Sequence, residues 1–150
     1  MKKFSGLDEF VAAQGSQLGP TDWLEVTQER VNLFADATDD HQWIHVDPAR
    51  SADGPFGATI AHGLLTLSLL PHFMHQLYSV DNIAMAINYG FNKVRFITPV
   101  PVGKRLRARA RITDVIKLDS ALQATLVTTI EVEASSKPAA VIESIVRYVG

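Results

Sequence analysis

The chain has 150 residues and a mass of 16.5 kDa; with 47% hydrophobic and 20% charged residues it suits one globular domain over 1–150 and leaves no room for a second. Fourteen Lys plus Arg against sixteen Asp plus Glu give a net charge of −2, without the basic excess of nucleic-acid binders, so no DNA or RNA partner is expected. The complete lack of cysteine excludes thiol nucleophiles, thiolate metal sites and disulfides, which leaves oxygen and imidazole groups to carry any chemistry.

After Met1-Lys2-Lys3 the sequence turns polar at Ser5, Asp8 and Glu9, so no signal-peptide core follows the lysines. The longest apolar run, Ile60 to Leu70, is far short of the roughly 20 residues of a membrane span. A cytoplasmic protein with no membrane partner is expected. Ser5 with Asp8 three residues on predicts a capping-box start, and Gly15 a stop, for a short helix turning Leu7, Phe10 and Val11 inward. Thr27 predicts the cap of a second helix, with Val31, Phe34 and Ala35 on its inner face and Val26 stapled to Val31. Asp39-Asp40 ends that pattern. From there to Pro55 the chain reads as a loop rich in Asp, Pro and Gly, with room for a short helix.

From Gly63 the apolar run through Leu64, Leu67, Leu70, Phe73 and Leu77 covers more than one face, as in a helix buried all round, with Pro71 as a kink or restart. The period then changes to two. Arg105, Arg107, Arg109 and Arg111 alternate with Leu106, Ala108, Ala110 and Ile112, and Ala124, Leu126, Thr128, Ile130 and Val132 alternate with more polar neighbours. With 82–97 and 139–149 these make about four long antiparallel strands, separated by turn signals at 99–103, 117–120 and 135–138. The expected architecture is α+β: an antiparallel sheet wrapped around a long central apolar helix.

The densest polar cluster is Asp39-Asp40-His41-Gln42-Trp43-Ile44-His45-Val46-Asp47-Pro48. An acid and an imidazole flanked by Trp43 and Ile44 can share a partly dry pocket in which their protonation matters; the competing reading is a solvated turn. A metal reading needs His41 and His45 on one helical face and a further ligand, and no such ligand is evident, so no metal is expected. Gly63, opening the apolar helix, could present its N–H to a developing oxyanion, or serve only as a packing residue. His62, His72 and His75 read more simply as satisfied histidines of a core helix. The arginine strand face is either a phosphate patch or a solvated surface, the second being preferred.

Taken together, residues 34–48 followed by 56–70 resemble the MaoC-like family of (R)-specific enoyl-CoA hydratases, in particular a short single-domain branch that includes nodulation protein N-like proteins. The family signature Gly-Asp-x-Asn-Pro-x-His falls on Asp40 and His45, with Ile60-Ala61-His62-Gly63 downstream; Asp39, Gln42 and Trp43 replace its Gly, Asn and Pro. The resemblance implies a hot-dog fold, a homodimer and acyl-CoA thioester substrates, with coenzyme A as part of the substrate and no separate cofactor. It implies Asp40 and His45 as the catalytic dyad that activates water, and the Gly63 N–H as the oxyanion donor. Gln42, Trp43, His62, Leu64 and Asn88 are the expected substrate-binding positions. The expected reaction is reversible hydration of trans-2-enoyl-CoA to (R)-3-hydroxyacyl-CoA. A hot-dog acyl-CoA thioesterase and a non-catalytic acyl-CoA binding module are the alternatives.

Overall fold

In residues 105–112 and 122–132, alternation of small or aliphatic residues with more polar ones decides which face of the sheet is covered. A computed structural model describes residues 1–150. In chain order its elements are β1 (Lys2–Phe4), α1 (Leu7–Ala12), β2 (Gln17–Leu18), β3 (Leu24–Glu25), α2 (Gln28–Thr38), α3 (Trp43–Val46), α4 (Pro48–Ala52), α5 (Gly63–Ser68), α6 (Leu70–Leu77), β4 (Tyr78–Val80), β5 (Met85–Phe96), β6 (Arg105–Lys117), β7 (Leu122–Val132) and β8 (Ala140–Val149). The main sheet has the order β2-β6-β7-β8-β5, with β3 also pairing β6; all of its pairings are antiparallel. β1 and β4 form a small parallel pair beside it.

The inner face carries Leu106, Ala108, Ala110 and Ile112 from β6, then Ala124, Leu126 and Ile130 from β7, then Ala140, Ile142 and Val146 from β8, all buried. The alanines matter because small side chains let a helix come close. Phe73 of α6, fully buried, packs in one cluster with Ala108 and Ala140. A second cluster gathers Phe4, Phe10, Leu77, Tyr78 and Tyr148 at the far end of the helix.

The central helix is not one rod. It breaks at Leu69 into α5 and α6, with Pro71 in the first turn of α6, the place in a helix where a missing N–H costs nothing. Nor is it buried all round, since Leu64 is 59% exposed and His72 and His75 lie on the solvent side of α6. At the N-terminus, Gly6 rather than Ser5 caps α1, and Glu9, not Asp8, reaches back to accept from the Ser5 N–H and hydroxyl. The reciprocal bond expected of a capping box therefore forms one residue out of register. Thr27 caps α2 by accepting from Arg30 N–H at 3.2 Å, and the Val26–Val31 staple is fully buried. No helix is long and apolar enough to cross a membrane.

Three of the four arginines of the β6 row are ion-paired on the sheet's outer face. Arg105 pairs with Glu133, and Arg107 and Arg109 share Glu131, while Trp23 lies over the Arg107 guanidinium at 4.5 Å.

Candidate active site

Every residue of the site is delivered by the crossing of three short segments over the start of α5. α2 ends at Asp39, which takes a left-handed φ of 58°. This is the position where the signature described above has Gly, and Asp is among the few other residues that tolerate that conformation, so the loop turns as a glycine would turn it. Asp40 follows with its side chain 51% exposed. Gln42 then caps α3 and is exposed, and the single turn of α3 carries His45 into the interior, where it is 7% exposed.

The segment 59–62 is clamped in extended form on both sides. Ile60 N–H donates to the Ile44 carbonyl (3.0 Å) and Ala61 N–H to the Val100 carbonyl (2.8 Å). This frees the Ile60 carbonyl to accept from His45 Nδ1 at 2.7 Å. A carbonyl can only accept, so the His45 proton sits on Nδ1 and Nε2 presents a bare lone pair. Burial holds the His45 pKa below the ordinary imidazole value, helped by the neighbouring His62 and opposed by the Ile60 bond and Asp40. At neutral pH His45 is therefore an uncharged base.

His62, 3% exposed, lies flat against it, the ring centroids 3.8 Å apart and the planes inclined by 23°. His62 Nε2 donates to the Asp40 main-chain carbonyl at 2.9 Å and lies 4.0 Å from Asp40 Oδ2. Its Nδ1 is buried without a partner, and Phe34 of α2 covers it at 5.0 Å between centroids. Candidate ligand atoms of Asp40, His45 and His62 thus lie within 4.8 Å of one another. Stacked rings, however, direct their in-plane lone pairs side by side rather than to one point, which suits proton transfer better than metal chelation.

Gly63 stands beside this pair with little room for a side chain: a Cβ there would meet the Phe96 ring at 3.0 Å. The first backbone bond of α5 runs from Thr66 N–H to the His62 carbonyl, so the N–H groups of Gly63 and its two successors have no acceptor within the helix. With only six residues, α5 contributes these local donors rather than a long macrodipole. His45, Ile60, Ala61, Gly63, Thr66 and Phe96 share a cavity of about 350 Å³.

The other expected positions lie elsewhere within the chain. Trp43 packs on Gly54 and under the Arg50 guanidinium at 4.3 Å. Leu64 faces outward. Asn88 lies on β5, lining a second cavity of about 340 Å³ together with Leu70, Met74, Ser144 and Tyr148. His41 is outside the site, exposed and bonded to Asp36 at 2.8 Å. Sequence reading overlooked Gln28, whose Nε2 donates to the His45 carbonyl at 2.7 Å and whose Oε1 accepts from the buried Thr59 hydroxyl. Its one signal was a polar residue in the first turn of an amphipathic helix, which is too common to be informative.

The chain belongs to the MaoC-like domain family, which it matches over residues 9–135, and its fold is the hot-dog fold of that family's hydratases. It is a hydro-lyase, an enzyme that adds water across a carbon–carbon double bond or removes it. Over 150 residues it is 59% identical to 3-hydroxyacyl-thioester dehydratase Z of Mycobacterium tuberculosis, covering 99% of each chain. It is 43% identical over 143 residues to nodulation protein N of Rhizobium meliloti, covering 89% of this chain and 84% of that one. Among solved structures, the (R)-hydratase of A. caviae involved in PHA biosynthesis superposes with a TM-score of 0.73 at 27% identity, covering 89% of this chain and 94% of the other.

Proposed function

We propose that the protein catalyses the reversible, (R)-specific hydration of trans-2-enoyl-CoA to 3-hydroxyacyl-CoA, with Asp40 and His45 as the catalytic pair. The observation that carries this reading is the His45 ring itself: buried, uncharged, its Nδ1–H locked to Ile60, and its free Nε2 beside an acidic side chain. A water held between Nε2 and the Asp40 carboxylate would give one proton to Nε2 as its oxygen bonds to C3. The Gly63 N–H would meet the thioester oxygen as enolate charge develops there. The imidazolium then returns its proton to C2 on the same face, and the pair is restored. Coenzyme A leaves with the product as part of it, and no step calls for a separate cofactor.

The acyl chain would run along the central helix, from the first cavity towards the second. Gly63 and Thr66 of the first cavity and Leu70 and Met74 of the second recur at helical spacing on one side of α5 and α6. Both cavities face β5 and the end of the sheet that holds β8. A second copy of the chain would complete the wall. β5 is twelve residues long, pairs only with β8, and exposes Met85, Ile87, Tyr89, Phe91 and Phe96. An apolar edge of this length is a template for strand pairing, which a twofold homodimer would satisfy.

The test is loss of the enoyl absorbance of crotonyl-CoA, with chiral analysis of the product. Formation of (R)-3-hydroxybutyryl-CoA is expected. Release of free coenzyme A from a saturated acyl-CoA would replace this reading with a thioesterase, and binding of enoyl-CoAs of all chain lengths without conversion would replace it with a binding module.

A further inference from the structure

The cavity of about 340 Å³ under α6 is largely apolar, yet its end carries hydroxyls. Along β8 the inward residues from the catalytic end are Ala140, Ile142, Ser144, Val146 and Tyr148, and Tyr78 follows directly on the last residue of α6. Tyr78 and Tyr148 therefore lie at the end of this cavity away from Gly63. The two tyrosines are 9% and 2% exposed, and their hydroxyls are hydrogen-bonded to each other.

Proton counting shows what this pair leaves over. Burial raises both phenol pKa values, so both groups are protonated at neutral pH. Two hydroxyls carry two protons, and their mutual bond uses one. Neither oxygen has another protein partner, so one O–H remains as a donor at the wall of a mostly apolar cavity whose other polar lining residues are His75, Ser79, Asn88 and Ser144. Leaving a buried donor unmade is costly, whereas an apolar floor would have been simpler to build from Phe.

We infer that the Tyr78–Tyr148 hydroxyl pair selects acyl chains bearing an oxygen acceptor, such as a ketone, ether or hydroxyl oxygen, near the end remote from the thioester. This inference rests on the hydratase reading above and names the substrate class for that site. The unused proton donates to the substrate oxygen, and a plain alkyl chain reaching the same depth would leave it unpaired. No bond of the acyl chain is made or broken there.

The experiment compares two enoyl-CoAs of equal length, one with an unbranched alkyl tail and one with a single ether oxygen near the tail's end. It uses the unmodified protein, Tyr78→Phe, Tyr148→Phe and the double variant. The read-out is the ratio of kcat/KM for the two substrates within each protein, so any general loss of activity cancels. The unmodified protein should prefer the oxygenated chain by about twofold to tenfold, the ordinary worth of one neutral hydrogen bond. The double variant should show a ratio near unity. Each single variant retains a hydroxyl, and the one that keeps the group facing the ligand should keep the preference. Dissociation constants for the matching saturated acyl-CoAs, measured by calorimetry, give the same ratio without turnover, and thermal melting checks that the variants fold. A ratio near unity in the unmodified protein, or a preference that survives in the double variant, overturns the inference while crotonyl-CoA hydration leaves the hydratase reading standing. Failure to hydrate crotonyl-CoA or any longer enoyl-CoA overturns that reading instead.

Discussion

Two polar clusters of this molecule differ in the state of their charges. On the outer face of the sheet, Arg105, Arg107 and Arg109 meet Glu133 and Glu131 in exposed or half-exposed ion pairs, so each of these charges has a partner on the spot. At the start of α5, Asp40, His45 and His62 are fewer and less conspicuous, yet they keep what the other cluster has lost: a bare Nε2 on His45 and a buried, unpartnered Nδ1 on His62. Density of charge marks a surface that water already stabilises. A functional site is marked by polar groups held out of water with valences unspent.

The contrast breaks first at the dyad. His45→Gln and Asp40→Asn should each lower kcat on crotonyl-CoA by about 10² to 10⁴-fold, the usual worth of a positioned acid or base, with circular dichroism unchanged. A loss of only a few-fold in both would remove them from the chemistry. Gly63→Ala should cost about tenfold in kcat/KM, because the added methyl must push Phe96 by a few tenths of an ångström beside the proposed oxyanion position. Full activity in that variant would show that the helix start is not used.

A smaller effect separates the two imidazoles. Since burial and His62 both depress the His45 pKa, the acid limb of kcat/KM should fall below the ordinary imidazole value of 6.5. His62→Phe preserves a flat neighbour but removes the repelling imidazole and the bond to the Asp40 carbonyl. The acid limb should then move up in pH and kcat should drop a few-fold; an unmoved limb would leave His62 with packing alone. The same depression affects stability, with a definite sign. The unfolded chain binds a proton near pH 6.5 that the native His45 refuses, so stability falls as pH drops through the unfolded value and is recovered above it. Chemical denaturation at pH 5.5 and 7.5 reads that difference, and its loss in His45→Gln would assign it.

The smallest change should come from the outer face. Arg107→Ala should alter stability by no more than about 1 kcal/mol and leave turnover of crotonyl-CoA intact. A marked rise in KM for the coenzyme A thioester would instead make this face a phosphate patch.

Much of this arrangement was legible in the chain. Alternation fixes β7 and residues 105–112 of β6, up to the bulge after Ile112, because a strand has only two faces and one must be dry. Thr27 and Val26 announce α2, and the separation of Asp40 from His45 is local enough to be read directly. Other parts were not legible. Gly6 displaced the expected cap of α1, Leu64 turned outward from an apolar run, and His41, the imidazole nearest to Asp40 in sequence, was left in solvent.

The amino-acid sequence by itself determined the period of β7 and of the first half of β6, a restart of the central helix near Pro71 and the presence of an acid and an imidazole on one short loop, since these depend on neighbours a few positions apart. Only the tertiary structure decided which imidazole is dry, that His62 lies flat on His45, that Gln28 reaches the His45 carbonyl, and that the Tyr78 and Tyr148 hydroxyls are hydrogen-bonded across 70 positions. Those contacts are set by hydrogen bonds between distant segments, Ile60 to Ile44 and Ala61 to Val100 among them. Such closures have no period for a sequence pattern to display; they exist only once the apolar faces have buried one another and brought the loops together.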